Sequence, residues 1–516
     1  MSRESTCPVG IDLGTTQSAV ACLDELGRPE TLSNSEGERL TPSVVLFDGT
    51  QLIVGREALR ALATEADQIA QCAKRELGSR LFHKTLAGHH FPPEVIEACV
   101  LDKLRRDASR RLGEVRRAVV TVPAYFDEIR RKATQDAGYM AGLDVMDIIN
   151  EPTAAALAFG FRAGLTRPEG RDPTSQRILV YDLGGGTFDV TVMEIGPEGF
   201  IALATDGDVL LGGYDWDERL VDTVAKEFVS RFGIDPRQDA NAHGRLWRIC
   251  EEAKQALSVR SRAVLAFDYE GHMTRTEITR EEFEELTRDL VDRTAFTVRH
   301  TLKAARLEWK DVDRVLLVGG ATRMPAVVRM LRDLSGKEPD ASVSADEAVA
   351  HGAALHAGWL SSQEEGRSPR FSVRNVNSHS LGVVATEPRT GRLRTAVLIP
   401  RNTPLPITAR RVFRTERVDQ RSVLVQIVEG ESLSPEGCSP VGQCTVAPLP
   451  PGLPAGTRID VRFRYAANGR LRVHVAVQNT TAEVHSEIIR PNSLTREQLD
   501  SWRHFICGLP PGTPAV

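Results

Sequence analysis

The feature that most constrains the fold is an internal repeat of a short glycine-rich segment. The segment GIDLGTT at 10–16 recurs as VYDLGGGT at 180–187. Each copy is an apolar strand, then Asp-Leu-Gly, then a turn of small residues, then a second apolar strand, which is the pattern of a hairpin. Two such hairpins predict two related α/β halves that face each other across a cleft.

A third glycine turn supports the same organisation. The segment GGATRMP at 319–325 follows the apolar run 315–318 and precedes a helical pattern at 326–334. Helical patterns also occupy 217–232 and 245–257, and a strand is predicted at 117–122. Strands that alternate with helices predict an α/β domain over residues 1–360.

The pattern changes after this domain. A polar stretch marks 361–375 as a linker, and strand-forming runs follow at 422–428, 459–465 and 471–477, the last preceded by an Asn-Gly hairpin turn at 468–469. Residues 447–456 are predicted as a proline-rich loop. These signals predict a β domain over 376–491 and, over 492–516, one short helix at about 495–506 and a tail.

Charge is distributed unevenly along the chain. The formal net charge is −5, which gives no reason to expect nucleic acid as the main partner. From Phe371 onward, however, there are 18 arginines, no lysine and 11 acidic residues. Either the acidic front and the arginine-rich back attract each other, or the asymmetry is compositional drift toward arginine.

The cysteines and the apolar runs bear on the compartment. None of the eight cysteines has zinc-ligand spacing with another cysteine or a histidine, and the segment that contains Cys438 and Cys444 is predicted as a loop. We expect incidental or buried thiols in a reducing cytosol. The first strand begins too early for a secretory leader, and no apolar run is long enough for a bilayer, so we expect a cytoplasmic protein without a membrane or nucleic-acid partner.

The glycine turns and the carboxylates beside them suit a metal–nucleotide complex. Glycine allows the backbone amides to approach phosphate oxygens closely, and threonine hydroxyls add donors. We predict that Asp12 and Asp182 hold Mg²⁺ through water, because Mg²⁺ keeps much of its hydration shell. The predicted phosphate contacts are Thr15, Thr16, Gly184, Gly185 and Gly186.

Six segments, in order and at compatible spacing, resemble the DnaK-type heat-shock 70-kilodalton chaperones. They are GIDLGTT (10–16), VPAYF (122–126), NEPTAAA (150–156), DLGGGTFD (182–189), GGATRMP (319–325) and DEAVA (346–350). The resemblance implies a two-lobed actin-like ATPase domain followed by a β-sandwich that binds peptide. It also implies ATP/ADP and Mg²⁺ as cofactors, an unfolded or extended polypeptide as partner, and a J-domain cochaperone and a nucleotide exchange factor. We expect a monomer.

Catalytic and relay roles follow from the resemblance. Lys74 matches a lysine beside the γ-phosphate, Glu151 a residue that positions the attacking water, and Thr187 a hydroxyl near the γ-phosphate; Asp12 and Asp182 complete this catalytic set. Taken alone, Lys74 would be a solvated charge and Glu151 an acid at a helix N-terminus. Pro123 and Arg131 match a relay that reports the nucleotide state to the second domain.

The resemblance also places the nucleoside and the peptide. Glu251, Lys254 and Ser258 lie on one stripe of a helix and match contacts to adenine and ribose, although an exposed polar helix face is the alternative. Further expected cofactor contacts are Gly14, Gly212, Gly213, Gly319, Gly320, Arg323 and Asp346. The expected peptide pocket consists of Val383, Phe413, Val423 and Val425, for which ordinary sandwich core is the alternative.

Three departures limit the resemblance. The linker segment FSVRN at 371–375 lacks the usual apolar run and replaces its acid with asparagine. The rim of the peptide site carries Thr386 and Glu416, which predicts a weaker or differently selective site. Roughly 26 residues follow Arg490, enough for one helix but not for a helical lid, so bound peptide should leave quickly.

The leading hypothesis is therefore an ATP-hydrolysing chaperone. The alternative is a binding module in which ATP is a regulatory ligand and the β domain docks a dedicated protein partner. A small-molecule kinase or a filament-forming protein of the same superfamily is disfavoured by the β domain and by the segment NEPTAAA.

Overall fold

The structure is a computed structural model that describes residues 7–49, 51–165, 175–367, 371–466, 471–487 and 493–507. Among these residues, no helix combines the length and the apolar character that crossing a membrane would require.

The first lobe is built on a mixed sheet with strand order β11-β10-β1-β2-β3, and β4 pairs with β2. A three-stranded sheet, β6-β5-β7, and the hairpin β8-β9 lie beside it. The strands are β1 (Val9–Asp12), β2 (Gln17–Leu23), β3 (Pro29–Thr31), β4 (Thr41–Pro42), β5 (Val44–Asp48), β6 (Gln51–Val54), β7 (Ile69–Gln71), β8 (Thr85–Leu86), β9 (His89–His90), β10 (Arg117–Val122) and β11 (Asp144–Asn150). The helices are α1 (Arg56–Ala61), α2 (Pro93–Leu112), α3 (Glu128–Met140) and α4 (Glu151–Arg162).

The second lobe is built on the sheet β17-β12-β13-β14-β18. Its strands are β12 (Gln176–Leu183), β13 (Phe188–Gly196), β14 (Gly199–Asp208), the separate hairpin β15 (Arg262–Tyr269) and β16 (His272–Thr279), β17 (Arg314–Val318) and β18 (Val373–Arg374). Its helices are α5 (Gly213–Phe232), α6 (Ala240–Val259), α7 (Arg280–Leu286), α8 (Arg288–Ala304), α9 (Pro325–Ser335) and α10 (Ala348–Glu364).

The internal repeat extends beyond the two hairpins to the sheets that contain them. In the first lobe, β1 is antiparallel to β2 and parallel to β10; in the second, β12 is antiparallel to β13 and parallel to β17. A helix follows both β10 and β17 after a short turn. The two halves predicted from the repeated motif therefore share one strand arrangement.

Helices α4 and α10 pack against each other where the lobes meet. Their contact is close because α10 carries Gly352, at which a Cβ would collide with the carbonyl oxygen of Ala154. Small residues on both helices permit this approach, and their buried side chains share one core with strands of both sheets. Helix α10 continues to Glu364, so the first residues of the segment predicted as a linker are helical.

The C-terminal region forms two four-stranded antiparallel sheets, β20-β19-β22-β23 and β21-β24-β25-β26. The elements are β19 (Leu381–Thr386), β20 (Leu393–Ile399), β21 (Ile407–Arg414), β22 (Val423–Glu429), β23 (Ser439–Val446), β24 (Arg458–Tyr465), β25 (Leu471–Val477), β26 (Glu483–Glu487) and α11 (Arg496–Ile506). Alternate side chains of both sheets form one buried core, as expected for a sandwich.

The strands predicted at 459–465 and 471–477 and the terminal helix are confirmed; the Asn-Gly turn lies outside the described residues. The prediction of a loop around Cys438 and Cys444 is wrong for Cys444. That residue lies on β23, buried and paired with Val425, because alternating apolar residues outweigh the turn-forming residues. All eight cysteines are free thiols.

Candidate functional site

A cavity of about 870 Å³ opens between the two lobes. The turns of both repeated hairpins and the turn after β17 line it. Of the predicted nucleotide-site residues, the following line the cavity: Asp12, Gly14, Thr15, Thr16, Lys74, Glu151, Asp182, Gly184, Gly185, Thr187, Gly213, Glu251, Lys254, Ser258, Gly319, Gly320, Arg323 and Asp346. Gly186 and Gly212 do not line it, and Gly212 packs on the backbone of Gly186.

The two hairpin turns touch each other across the cleft. A Cβ on Gly185 would overlap the side chain of Thr16, and one on Gly186 would overlap the side chain of Thr15. Glycine is therefore required for this close approach, in addition to any contact with phosphate. Thr187 closes its own turn, since its carbonyl oxygen accepts a hydrogen bond from the amide of Gly184 at 3.0 Å.

A buried ion pair lies at the floor of the cavity. Lys74 is 1% exposed, and its Nζ donates to Glu151 Oε1 at 2.6 Å. Burial lowers the pKa of Lys74, but the carboxylates of Glu151 and Asp12 outweigh this and raise it overall. Lys74 is therefore a fixed positive charge, contrary to the solvated lysine that the sequence alone would suggest.

The two repeated aspartates lie in an electronegative environment. Burial, followed by repulsion from Glu151, raises the pKa of Asp12 to about 7 although Thr121 Oγ1 donates to its Oδ1 at 3.1 Å. Burial and repulsion from Glu151, Asp189 and Asp12 likewise raise the pKa of Asp182 well above its ordinary value. Clustered carboxylates of this kind provide the oxygen ligands and the uncompensated negative charge that a hydrated divalent cation requires.

Asp189 is a further buried acid, which the sequence interpretation missed as a site residue. Its carboxylate accepts hydrogen bonds from the amides of Ala124 and Tyr125, both at 3.0 Å. Burial and repulsion from Glu151 raise its pKa to about 7. The second hairpin alone contained the signal, because its segment DLGGGTFD at 182–189 ends in Asp189, which lies opposite Asp182.

The side of the cavity predicted to bind the nucleoside already contains two ion pairs. Lys254 Nζ donates to Asp217 Oδ2 at 2.6 Å and to the carbonyl oxygen of Gly213 at 2.9 Å. Arg323 donates to both oxygens of Asp346, at 2.9 and 2.6 Å. Lys254 thus ties α6 to the start of α5, and Arg323 is held as a flat surface at the cavity wall.

The predicted relay residue Arg131 connects the cavity to the loop before α3. Its Nη2 donates to Asn150 Oδ1 at 2.6 Å and to the carbonyl oxygen of Ala124 at 3.2 Å. Asn150 directly precedes Glu151, so Arg131 is linked through Asn150 to the buried ion pair of Glu151 and Lys74. Pro123 begins the same loop, and its carbonyl oxygen accepts from the amide of Phe126 at 3.2 Å.

This loop contacts the β-sandwich. His379 Nε2 donates to the carbonyl oxygen of Tyr125 at 3.0 Å, and the two rings are 4.3 Å apart. Nearby, the buried Tyr465 hydroxyl donates to Glu128 Oε1 at 3.2 Å, and the amide of Glu128 donates to Glu429 Oε2 at 3.0 Å. An uninterrupted set of contacts therefore runs from the cavity to the sandwich.

The linker adds a strand to the second lobe despite its unusual sequence. Val373 and Arg374 form β18, which runs parallel to β14. Phe371 is buried against Phe200 and Trp359, with ring centroids 5.8 and 5.5 Å apart. Backbone pairing and one aromatic anchor thus replace the expected apolar run, and Asn375 Oδ1 accepts a hydrogen bond from Thr153 Oγ1 at 2.9 Å.

The terminal helix α11 packs on the first lobe. Leu499 and Ile506 join the core of that lobe, and the Trp502 ring lies 5.6 Å from Phe91. Tyr139 of α3 accepts a hydrogen bond from Arg496 at 2.7 Å and donates one to Asp500. The two-lobed region therefore contacts both the sandwich and the helix that follows it.

The expected peptide-pocket residues lie within the sandwich. Val383, Val423 and Val425 belong to its buried core and are each less than a tenth exposed. Phe413 is partly buried at the edge of that core, where the Arg411 guanidinium lies 5.9 Å from its ring. Their role in peptide binding stays a prediction.

The sheets, the repeated hairpins and the acidic cavity define a class of protein with two related α/β halves around a cavity, followed by two packed antiparallel sheets. A family model described as "Hsp70 protein" matches residues 8–504. The chain is also 40% identical over 500 residues to the "Chaperone protein DnaK" of two strains of Halobacterium salinarum, an alignment that covers 95% of this chain and 76% of each relative. The chain belongs to the Hsp70 family of ATP-dependent chaperones.

Proposed function

We propose that this chain hydrolyses ATP in the cavity between its lobes and uses the reaction to control how its sandwich holds an extended polypeptide. The observation that carries the proposal is the buried Lys74–Glu151 pair, 2.6 Å long, beside Asp12 and Asp182. A fixed cation among three acids is suited to the charge that spreads over a transferred phosphoryl group.

Asp12 and Asp182 are the residues that would hold Mg²⁺ through water. Burial raises the pKa of both carboxyl groups, and repulsion from Glu151 raises it further, which is a reason for a divalent cation to bind beside them. When bound, Mg²⁺ neutralises charge on the phosphate oxygens. The amides of the two glycine turns provide donors for the same oxygens.

The chain's own residues then have separate tasks. Lys74 stabilises negative charge on the phosphoryl group, and Glu151 orients the attacking water, with its own position fixed by Lys74. Thr187, in the glycine turn of the second hairpin, contributes a hydroxyl next to the phosphates. Glu251, Lys254 and Ser258 would contact the nucleoside from α6, and the plane of Arg323, which also lines the cavity, would stack on it.

Coupling to the sandwich would use the contacts of the loop before α3. A shift of Glu151 on hydrolysis would move Asn150, which is bonded to Arg131, and Arg131 holds the loop that contacts His379. The linker strand β18 provides a second connection, since it pairs directly with the second lobe. Such coupling requires different contacts in the two nucleotide states.

The substrate of the sandwich would be an unfolded or extended segment held near Phe413 and the three buried valines. Because those valines are buried, binding would require the sandwich to open locally. A J-domain cochaperone and a nucleotide exchange factor, which the family resemblance implies, would be the partners of the cycle, and we propose a cytoplasmic location.

A second candidate is an ATP-regulated module that docks one dedicated protein partner. The buried valines and the charged side chain of Arg411 beside Phe413 favour it, because a partner with matching acidic groups would bind better than a generic apolar peptide.

Steady-state ATP hydrolysis with and without an unfolded model peptide tests the first proposal. We expect turnover that depends on Mg²⁺ and is accelerated by the peptide. Turnover that no unfolded peptide affects would favour the second candidate, and absence of any turnover would contradict the assignment of the cavity as a hydrolytic site.

A further inference from the structure

The outer face of the sandwich contains a group of side chains that the nucleotide site does not involve. His474 on β25 and Glu483 and His485 on β26 place their ligand atoms within 4.8 Å of one another. Within the part of the chain that the structure describes, no second group of three histidine, cysteine or acidic residues meets this distance. The sequence spacing of known metal-binding motifs does not predict this group, because strand pairing, and not a short motif, brings its three residues together.

Strand pairing fixes the three positions. His474 lies directly opposite His485 in the antiparallel register, and Glu483 is two residues from His485 on the same strand, hence on the same face. Directly opposite residues have Cβ atoms about 4.5–5.5 Å apart, so all three side chains extend from one small patch of the sheet.

The donor atoms already converge. Glu483 Oε2 lies 3.2 Å from His474 Nε2, and Glu483 Oε1 lies 3.9 Å from His485 Nε2. The two imidazole rings stack with centroids 4.1 Å apart and planes 17° apart. Ligands of a tetrahedral zinc ion lie about 3.3 Å apart, given bonds of about 2.0–2.1 Å. Small rotations would reach this spacing, because the side chains of His485 and Glu483 are 72% and 56% exposed.

The chemistry of the donors selects the ion. Two imidazoles and one carboxylate are ligands for zinc and its neighbours in the transition series, whereas Ca²⁺ and Mg²⁺ require oxygen ligands. Arg462 lies opposite His474 on β24, and its side chain pairs with Asp460 at 3.2 Å. We propose that His474, Glu483 and His485 form a binding site for Zn²⁺ or a similar divalent transition-metal ion, with one coordination position open to solvent.

The site would join the last two strands of the sandwich. β26 is the edge strand of its sheet and is held by β25 alone within that sheet. Among the residues that the structure describes, it is also the last strand before α11, which packs on the first lobe. A bound ion would therefore stabilise the edge of the sandwich, as expected for any ligand that binds only the folded form.

The experiment uses the full chain, stripped of metal, reduced and free of nucleotide. Zn²⁺ is titrated by calorimetry and Co²⁺ by visible absorption. We expect one equivalent to bind, and we expect His474→Ala, Glu483→Gln and His485→Ala each to weaken binding by more than about tenfold, since loss of even an outer-shell partner costs that much. His90→Ala is the matched control, because His90 is an exposed strand histidine outside the group, and it should bind normally.

A variant with stronger metal binding separates loss of a ligand from misfolding, because a misfolded variant would not bind the ion more tightly. Ala476 lies on the same face, directly opposite Glu483, so Ala476→His adds a fourth ligand and should tighten Zn²⁺ binding by more than about tenfold. Undiminished binding in the double variant His474→Ala/His485→Ala would overturn the proposal. A thiolate-to-Co²⁺ charge-transfer band would also overturn it, because the cysteines would then hold the ion.

Discussion

Replacement of Lys74 with methionine tests the catalytic assignment most sharply. Methionine keeps the length of the side chain and removes the charge that is 2.6 Å from Glu151. Loss of one preorganised stabiliser of transition-state charge costs about 10²–10³ in kcat, equivalent to about 2.7–4 kcal/mol. We therefore expect turnover to fall by that factor, measured by single-turnover hydrolysis, with a smaller effect on nucleotide affinity.

The same change has a separate and calculable effect on stability. Removal of one partner of a buried ion pair costs about 3–5 kcal/mol when the other charge stays ionised. Here the charge of Lys74 lowers the pKa of Asp12, which is about 7, so its removal raises the proton affinity of the folded state further. The folded variant then binds more protons than the unfolded chain near neutrality, so its stability should decline as pH rises from 6 to 8.

Two variants control this experiment. Lys226→Met removes an exposed lysine of α5, whose partner Asp222 lies 3.8 Å away, and should leave turnover unchanged. The double variant Lys74→Met/Glu151→Gln should lose little more activity than either single variant, because the pair acts as a unit. Turnover by Lys74→Met within about threefold of the unmodified chain would show that Lys74 does not stabilise the transition state.

Three further predictions concern other parts of the molecule. Gly185→Ala should weaken nucleotide binding by more than about tenfold, because its Cβ overlaps Thr16, and Thr16→Ala should restore part of the loss in an equilibrium binding assay. Trp502→Ala should destabilise the packing of α11 on the first lobe by about 2 kcal/mol, which is about half the cost for a fully buried tryptophan. Hydrogen exchange of the α11 amides should then become faster. Unchanged exchange rates would contradict that packing. Burial lowers the pKa of His379 below its ordinary 6.5, in surroundings that contain Tyr125, Asp127, Arg401 and Glu431. Contact between the sandwich and the first lobe should therefore weaken as pH falls from 6.5 toward that lowered pKa, because protonation of His379 then favours separation. Fluorescence transfer between the domains should show this dependence, and His379→Gln should abolish it.

The local motifs predicted much of the site and of the fold around it. The repeated Asp-Leu-Gly turns located Asp12 and Asp182, because a hairpin with glycines in its turn can be recognised from adjacent residues alone. The strands before and after each repeated turn could also be predicted from adjacent residues, since continuous apolar runs indicate strands that are buried on both faces.

Interactions between distant segments could not be predicted in this way. The partners of Lys254 and Arg131 are Asp217 and Asn150, which tertiary folding brings close. The strand that contains Cys444 was missed because its glycine and proline residues indicate turns, whereas burial against the opposite sheet stabilises a strand.

The linker shows the same limit. Its sequence lacks the usual apolar run, yet backbone pairing with β14 needs no particular side chain, and the single aromatic Phe371 provides the buried anchor. A prediction from residue types alone therefore underestimates how firmly this segment packs on the second lobe. The contact gives a physical route by which ATP binding could affect the sandwich.

The most direct test of the account is the release rate of a labelled unfolded peptide, measured by fluorescence anisotropy with ADP and then with ATP. We expect faster release with ATP, and we expect Arg131→Ala to reduce this difference while ATP hydrolysis continues. Equal release rates with the two nucleotides would contradict the proposed coupling, because they would show that the cavity between the lobes does not control the sandwich.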